Sequence, residues 1–123
     1  SENGTFNTLK WPTDITFNEN EIQNDYYKHI KGRFDALYPN LNAFKDKCRE
    51  VMQSNDRTNI TRYKEGADTF VAYDGASHIV AIANKAGQIF HCQIMNKDGI
   101  KNKVQNKGWK EMPWFPRNVF AII

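Results

Sequence analysis

One histidine stands among fixed cations in the stretch Tyr26-Tyr27-Lys28-His29-Ile30-Lys31-Gly32-Arg33, with two aromatic rings just upstream. Metal-independent cleavage of RNA has three chemical requirements. A base takes the 2′-hydroxyl proton, an acid protonates the leaving oxygen, and cations stabilise the phosphorane. Imidazole is the natural acid or base near neutral pH, and cations close to an imidazole favour its neutral form. His29 therefore fits the base, with Lys28 assisting it, and Lys31 and Arg33 fit contacts to RNA phosphates. The same three cations equally fit the basic end of a helix, where the dipole favours them.

His91 is the natural second partner. An acid–base pair with one imidazole on a helix and one on a strand is a workable ribonuclease design, although a core histidine bonded to a backbone carbonyl has the same sequence appearance. His78, at the start of an expected strand and on the side of Val80 and Ile82, is the least suited of the three histidines to chemistry. Arg62 and Lys64, flanking Tyr63, fit a phosphate-binding and base-stacking segment, or a polar loop before a strand. Trp109 and Trp114 lie among lysines and fit either base stacking or capping of the core. Cys48 and His91-Cys92 have neither CxxC nor HxxxH spacing, so no metal site and no cofactor is expected. Gly-rich phosphate loops, GxSxG, HExxH and dense carboxylate pairs are all missing from the sequence.

Length, charge and hydropathy frame these residues. A chain of 123 residues is one domain, large enough for its own core. Its charge is uneven. Residues 1–27 hold one base and five acids, net −4, whereas residues 28–123 hold sixteen bases and nine acids, net +7. A basic body suits a phosphate-rich partner, and it is also common on surfaces that bind nothing. The two cysteines do not imply a disulfide scaffold, and a single bond between them or two small buried thiols are both open. No apolar run is long enough to span a membrane, and no signal peptide is visible. The chain begins at Ser1, as expected of a piece excised from something longer.

The elements that must position the histidines follow from periodicity. Residues 1–18 read as an irregular arm, with Phe6, Leu9, Trp11 and Phe17 available to anchor it. Asn18 or Asn20 caps a helix with Glu19 and Glu21 in its first turn. Its stripe is Ile22, Tyr26, Ile30 and Phe34, and His29 lies beside the stripe. Asn40 or Asn42 caps a second helix to about Gln53, with the stripe Leu41, Phe44, Cys48, Val51 and Met52 and a solvated charged face. The period then changes to two. Strands are expected at Thr69–Tyr73, Ser77–Ala83 and Gln88–Met95, with the last closed by a turn at Asn96-Lys97-Asp98-Gly99. In that strand Phe90, Cys92 and Ile94 are expected on one face, and Ile89, His91, Gln93 and Met95 on the other. The result is an α+β fold, N-terminal helices packed on a small twisted antiparallel sheet. Residues 19–99 form the core of the domain and 100–123 an extension, in which Val119–Ile123 reads as an edge strand or a docking tail.

The order of these motifs resembles the C-terminal nuclease domain of colicin D and the related toxins of contact-dependent inhibition systems. The resemblance runs over about residues 26–99. It is carried by Lys28-His29, the helix around Phe44-Lys45-Asp46, Arg62-Tyr63-Lys64-Glu65-Gly66, the strands Phe70–Tyr73 and Ile79–Ile82, and Gly87-Gln88-Ile89-Phe90-His91. It implies a fold of the barnase/EndoU/colicin/RelE type. It further implies metal-independent cleavage of tRNA, in the anticodon loop, leaving a 2′,3′-cyclic phosphate. His29 maps to the general base and Lys28 to an assisting cation. The family's serine and tryptophan on the later strand are replaced by His91 and Gln93, so either His91 takes the place of the acid or the active residues differ. The segment Gly32-Arg33-Phe34-Asp35 also departs from the family pattern, and residues 100–123 have no counterpart. The resemblance further implies delivery from a larger bacterial protein, action in the cytoplasm of a target cell, and a tight acidic immunity protein as partner. Ile122-Ile123 would suit docking to an activating host protein. Two rival expectations stand beside this one: a non-enzymatic module binding RNA or protein, and a metal-dependent nuclease.

Overall fold

The structure, a computed structural model, describes residues 11–113. The expected roles of Phe6, Leu9, Trp114 and Val119–Ile123, Ile122-Ile123 included, fall on residues outside that range. The chain is α+β, with helices packed on an open six-stranded sheet of order β1-β5-β4-β3-β2-β6. The strands are β1 (Thr16–Phe17), β2 (Ile60–Glu65), β3 (Thr69–Asp74), β4 (Ile79–Asn84), β5 (Gln88–Ile94) and β6 (Lys110–Glu111). Helix α1 (Glu19–Asp25) runs on into a π-helical turn, Tyr26–Ile30; α2 is Leu41–Gln53 and α3 is Lys97–Asn106. Among the described residues no helix is long and apolar enough to cross a membrane.

Both N-terminal helices start where capping chemistry places them. The Asn18 side chain accepts from the Glu21 N–H, and the Asn40 side chain accepts from the Ala43 N–H at 2.8 Å. Ile22, Tyr26 and Ile30 on the first helix join Phe44, Cys48, Val51 and Met52 on α2 in one core against Ala72, Ile79, Ala81 and Cys92 of the sheet. The charged face of α2 is more than a solvated surface. Lys45 pairs with Glu19 at 2.7 Å, and Lys47 reaches the buried Asp74 at 3.6 Å.

Strands β3 to β5 form the expected antiparallel meander, β2 extends it in the same antiparallel sense, and the arm adds a short parallel strand, since β1 pairs with β5 at Thr16–Gln88 and Phe17–Ile89. This edge demands Gly87. With φ at +86°, a Cβ there would sit 2.1 Å from the Asp14 carbonyl oxygen. The arm is anchored by Trp11, whose indole N–H donates to the Met52 carbonyl at 2.7 Å and whose ring meets Phe70 edge-on.

Four expectations are revised. Arg62-Tyr63-Lys64, expected as a binding segment or a polar loop before the first strand, lies within β2, which Ile60 and Tyr63 anchor from opposite faces. The expected turn at Asn96–Gly99 is instead the first turn of α3, capped by the Asn96 side chain on the Gly99 N–H. The boundary expected at residue 99 therefore falls inside a helix packed on the sheet. Ile100 and Trp109 join Tyr63, Val71, Tyr73 and Val80 in a second core on the face opposite α1 and α2. Finally, a bulge between Ile82 and Ala83 of β4 pairs Ile82 with His91 and Ala83 with Ile89. Phe90 becomes the extra residue, so Ile89 shares the helix-side core with Cys92 rather than the face of His91.

Cys48 of α2 and Cys92 of β5 are bonded, with Cα atoms 6.4 Å apart. The bond ties the second helix to the strand that carries His91.

Candidate functional site

A cavity of about 540 Å³ opens on the sheet face opposite α1 and α2. Its wall brings together His29 from the π-helical turn, His91 and the bulged Phe90 from β5, and Lys103 and Lys107 from α3. Asp25, Glu65 and Trp109 complete its polar and aromatic lining.

Each part is placed by local structure. The π-turn closes with the Lys31 N–H donating to the Tyr26 carbonyl at 2.9 Å, so Tyr26 and Ile30 stay buried while His29 stays exposed at the cavity. Such turns are often found at functional sites because they re-aim a side chain without ending the helix. The bulge on β5 does the same for His91, keeping it and Gln93 on the cavity face. Lys103 in the last turn of α3 and Lys107 at its C-cap lie one turn apart, the Lys107 N–H donating to the Lys103 carbonyl. Gly108 at φ +72° ends that helix, and Trp109 then turns into the second core.

His91 is held by a carboxylate. Its Nδ1 lies 3.2 Å from Oδ2 of Asp25, and Glu21 stands behind at 4.0 Å. The same Asp25 oxygen accepts the Cys92 backbone N–H at 3.0 Å, so the carboxylate is itself fixed to β5. With Nδ1 engaged by the carboxylate, Nε2 is the nitrogen left for chemistry. Among the described residues nothing is hydrogen-bonded to the His29 ring, which leaves it open to a substrate. Glu65 is occupied, since the Trp109 indole N–H donates to its Oε1 at 2.7 Å.

The structure therefore brings together His29, His91 and Trp109 of the expected residues and leaves Lys28, Lys31, Arg33, Arg62, Lys64 and His78 outside the cavity. Lys28, Lys31 and Arg33 are exposed next to His29 and do not line it, and the Lys31 ammonium lies 5.0 Å from the centre of the Tyr27 ring. Arg62 and Lys64 point to the opposite sheet face. The Arg62 guanidinium stacks 4.3 Å from the Trp11 ring centre and donates to the Ser54 carbonyl, and burial lowers its pKa to about 10. The Lys64 ammonium lies over Phe70. Trp109 is buried and caps the second core while forming part of the cavity wall. His78 sits in the turn before β4 at φ +62°, where its Nδ1 meets the Tyr73 hydroxyl at 2.9 Å. Asp25, Lys103 and Lys107 are the residues that the sequence reading did not single out. The available signals were the Asn96 cap, the i, i+4 lysines and the terminating Gly108. Among the described residues no group of three or more His, Cys, Asp and Glu side chains is placed to hold a metal ion, and both thiols are engaged in the disulfide.

Two imidazoles, one backed by a carboxylate, and two ammonium groups around one open cavity can move protons at both ends of a phosphodiester while neutralising its charge. Comparison with protein-family models and with curated proteins returns no match to the chain.

Proposed function

We propose that the chain is a metal-independent endoribonuclease of the colicin D-like toxin type, acting on tRNA. The observation that carries the proposal is the convergence of His29 and His91, remote in sequence, on one cavity with Lys103 and Lys107. In the proposed reaction His29 takes the 2′-hydroxyl proton and the 2′-oxygen attacks phosphorus. The bond from phosphorus to the 5′-oxygen breaks, and His91, oriented by Asp25, gives a proton to that oxygen. The products are a 2′,3′-cyclic phosphate and a 5′-hydroxyl. Lys103 and Lys107 balance the extra charge of the phosphorane. Lys28, Lys31 and Arg33 remain as exposed cations beside His29, suited to the outer phosphates of a structured RNA.

The wider reading follows from the same chemistry and from the family resemblance. The domain is delivered from a larger bacterial protein, acts in the cytoplasm of a target cell, and cuts the anticodon loop. An acidic immunity protein neutralises it by covering the cavity mouth and the exposed cations Lys28, Lys31 and Arg33 beside it. The test is incubation of the purified chain with total tRNA in EDTA, followed by sequencing and end-group analysis of the fragments. Discrete fragments with cyclic phosphate ends support the reading. Cleavage that requires a divalent cation points to a metal-dependent nuclease, and binding without scission points to a non-enzymatic module.

A further inference from the structure

A second recess, of about 370 Å³, lies on the same sheet face as the histidine cavity. Helix α3 runs between them. Lys103 and Lys107 line the histidine cavity, whereas Lys97 and Lys101, again one turn apart, line the second recess. The two spaces share a wall. The Tyr63 ring lies on the second recess and the Trp109 ring on the first, with their centres 5.9 Å apart. Strand β3 spans both, with Thr69 at the first and Tyr73 at the second, four residues or roughly 13 Å apart along the strand.

The chemistry of the second recess is uniform. Lys97 and Lys101 are the only charged side chains among the residues that line it. The hydroxyls of Thr58 and Thr61 and the Asn59 amide oxygen lie around them, while the Asn59 amide nitrogen donates to Asp56 at 2.9 Å. The combination suits a sugar–phosphate group: cations for the phosphate and small polar groups for the ribose and the base edge. The rings below are not free platforms, since Tyr63 and Tyr73 are buried and the Tyr73 hydroxyl is engaged by His78.

We propose that this recess is a second nucleotide subsite, and that the substrate is a strand whose phosphates cross α3 from Lys103 and Lys107 to Lys101 and Lys97. The proposal rests on the ribonuclease reading of the histidine cavity and extends it to the substrate class. Its consequence is that affinity grows with strand length beyond the nucleotides that flank the cut. An acidic protein surface would also meet these lysines, but the polar lining and the continuity with the histidine cavity favour a polynucleotide.

The test is binding of fluorescein-labelled 2′-O-methyl RNA, which lacks the nucleophile, to the whole chain. A 10-mer and a 3-mer are compared across a salt series for the wild type and for Lys97→Ala/Lys101→Ala. The variant is expected to bind the 10-mer at least tenfold more weakly while losing little on the 3-mer. Loss of two phosphate contacts lowers the salt slope on a single strand by about 1.4. Unchanged 10-mer affinity and slope in the variant overturn the subsite, and leave the histidine site to be judged by cleavage alone. In that case, loss of immunity-protein binding by the same variant assigns the lysines to a protein contact. Lysine-dependent RNA binding in a chain that cleaves no RNA supports the subsite while removing the ribonuclease reading. No RNA binding by the wild type removes both.

Discussion

Asp25 and His91 meet at 3.2 Å, one from the end of α1 and the other from β5, and the same carboxylate oxygen is pinned by the Cys92 backbone N–H. A helix end is thereby joined to strand β5 at the side chain proposed as the acid. Asp25→Asn keeps the size of the side chain and an oxygen to accept the Cys92 N–H, but removes the carboxylate that orients the His91 ring. The expected result is a fall in kcat on the order of 10²-fold, within the range acid–base groups contribute, with KM little changed. Steady-state kinetics on a tRNA substrate measures both, and a change confined to KM would contradict the assignment.

Lys103 is half-buried at the cavity while Lys107 is exposed. A cation held in place is worth more to a developing charge than one that must be ordered first. Lys103→Ala is therefore expected to lower kcat on the order of 10²-fold, and Lys107→Ala to act more weakly and chiefly through KM. Equal effects of the two on KM alone would reduce both lysines to docking contacts.

The disulfide closes a loop between residues 44 positions apart. Constraint of the unfolded chain by a loop of this size is worth about 4 kcal/mol in the chain-entropy account. Urea unfolding in the presence of dithiothreitol is expected to show a midpoint lowered accordingly. An unchanged midpoint, with thiol titration confirming reduction, would remove the bond from the account of stability.

Alkaline pH should destabilise the fold. Burial raises the pKa values of Tyr38, Tyr63 and Tyr73, and the Lys47 pKa is also raised, by its hydrogen bond to Glu50 and by the charges of Glu50 and Asp74 outweighing its desolvation. The folded chain keeps these protons after the unfolded chain has lost them. Their contribution is present below about pH 10 and is lost as pH rises through the raised folded values. Arg62, lowered to about 10, works in the opposite sense and offsets part of the loss. Urea unfolding at about pH 8 and about pH 10.5 compares the two regimes, and greater stability at the higher pH would contradict the sign.

How much of this was legible in the sequence depended on local periodicity. Helix α2 follows from an Asn cap and an unbroken apolar stripe, and its bounds match the expectation. The helix carrying His29 was legible for the same reason, but its π-turn was not, since the stripe keeps its four-residue spacing through it. Strand β2 has one buried residue on each face and no alternation to betray it. Helix α3 buries only Ile100, too little for a stripe, so Lys103 and Lys107 remained part of a polar stretch. The bulge at Phe90 depends on pairing with β4, which no local pattern encodes. His29 and His91 were found by residue type, and only tertiary structure supplied Asp25 and the lysines that surround them.

The central claim is acid–base cleavage by His29 and His91. The direct measurement is the single-turnover rate of tRNA cleavage in EDTA for the wild type, His29→Ala and His91→Ala, with circular dichroism on each protein. Both variants are expected to stay folded and to be slowed by about 10²–10⁴-fold each, with cyclic phosphate ends on the wild-type products. Cleavage by folded His29→Ala at the wild-type rate would contradict it.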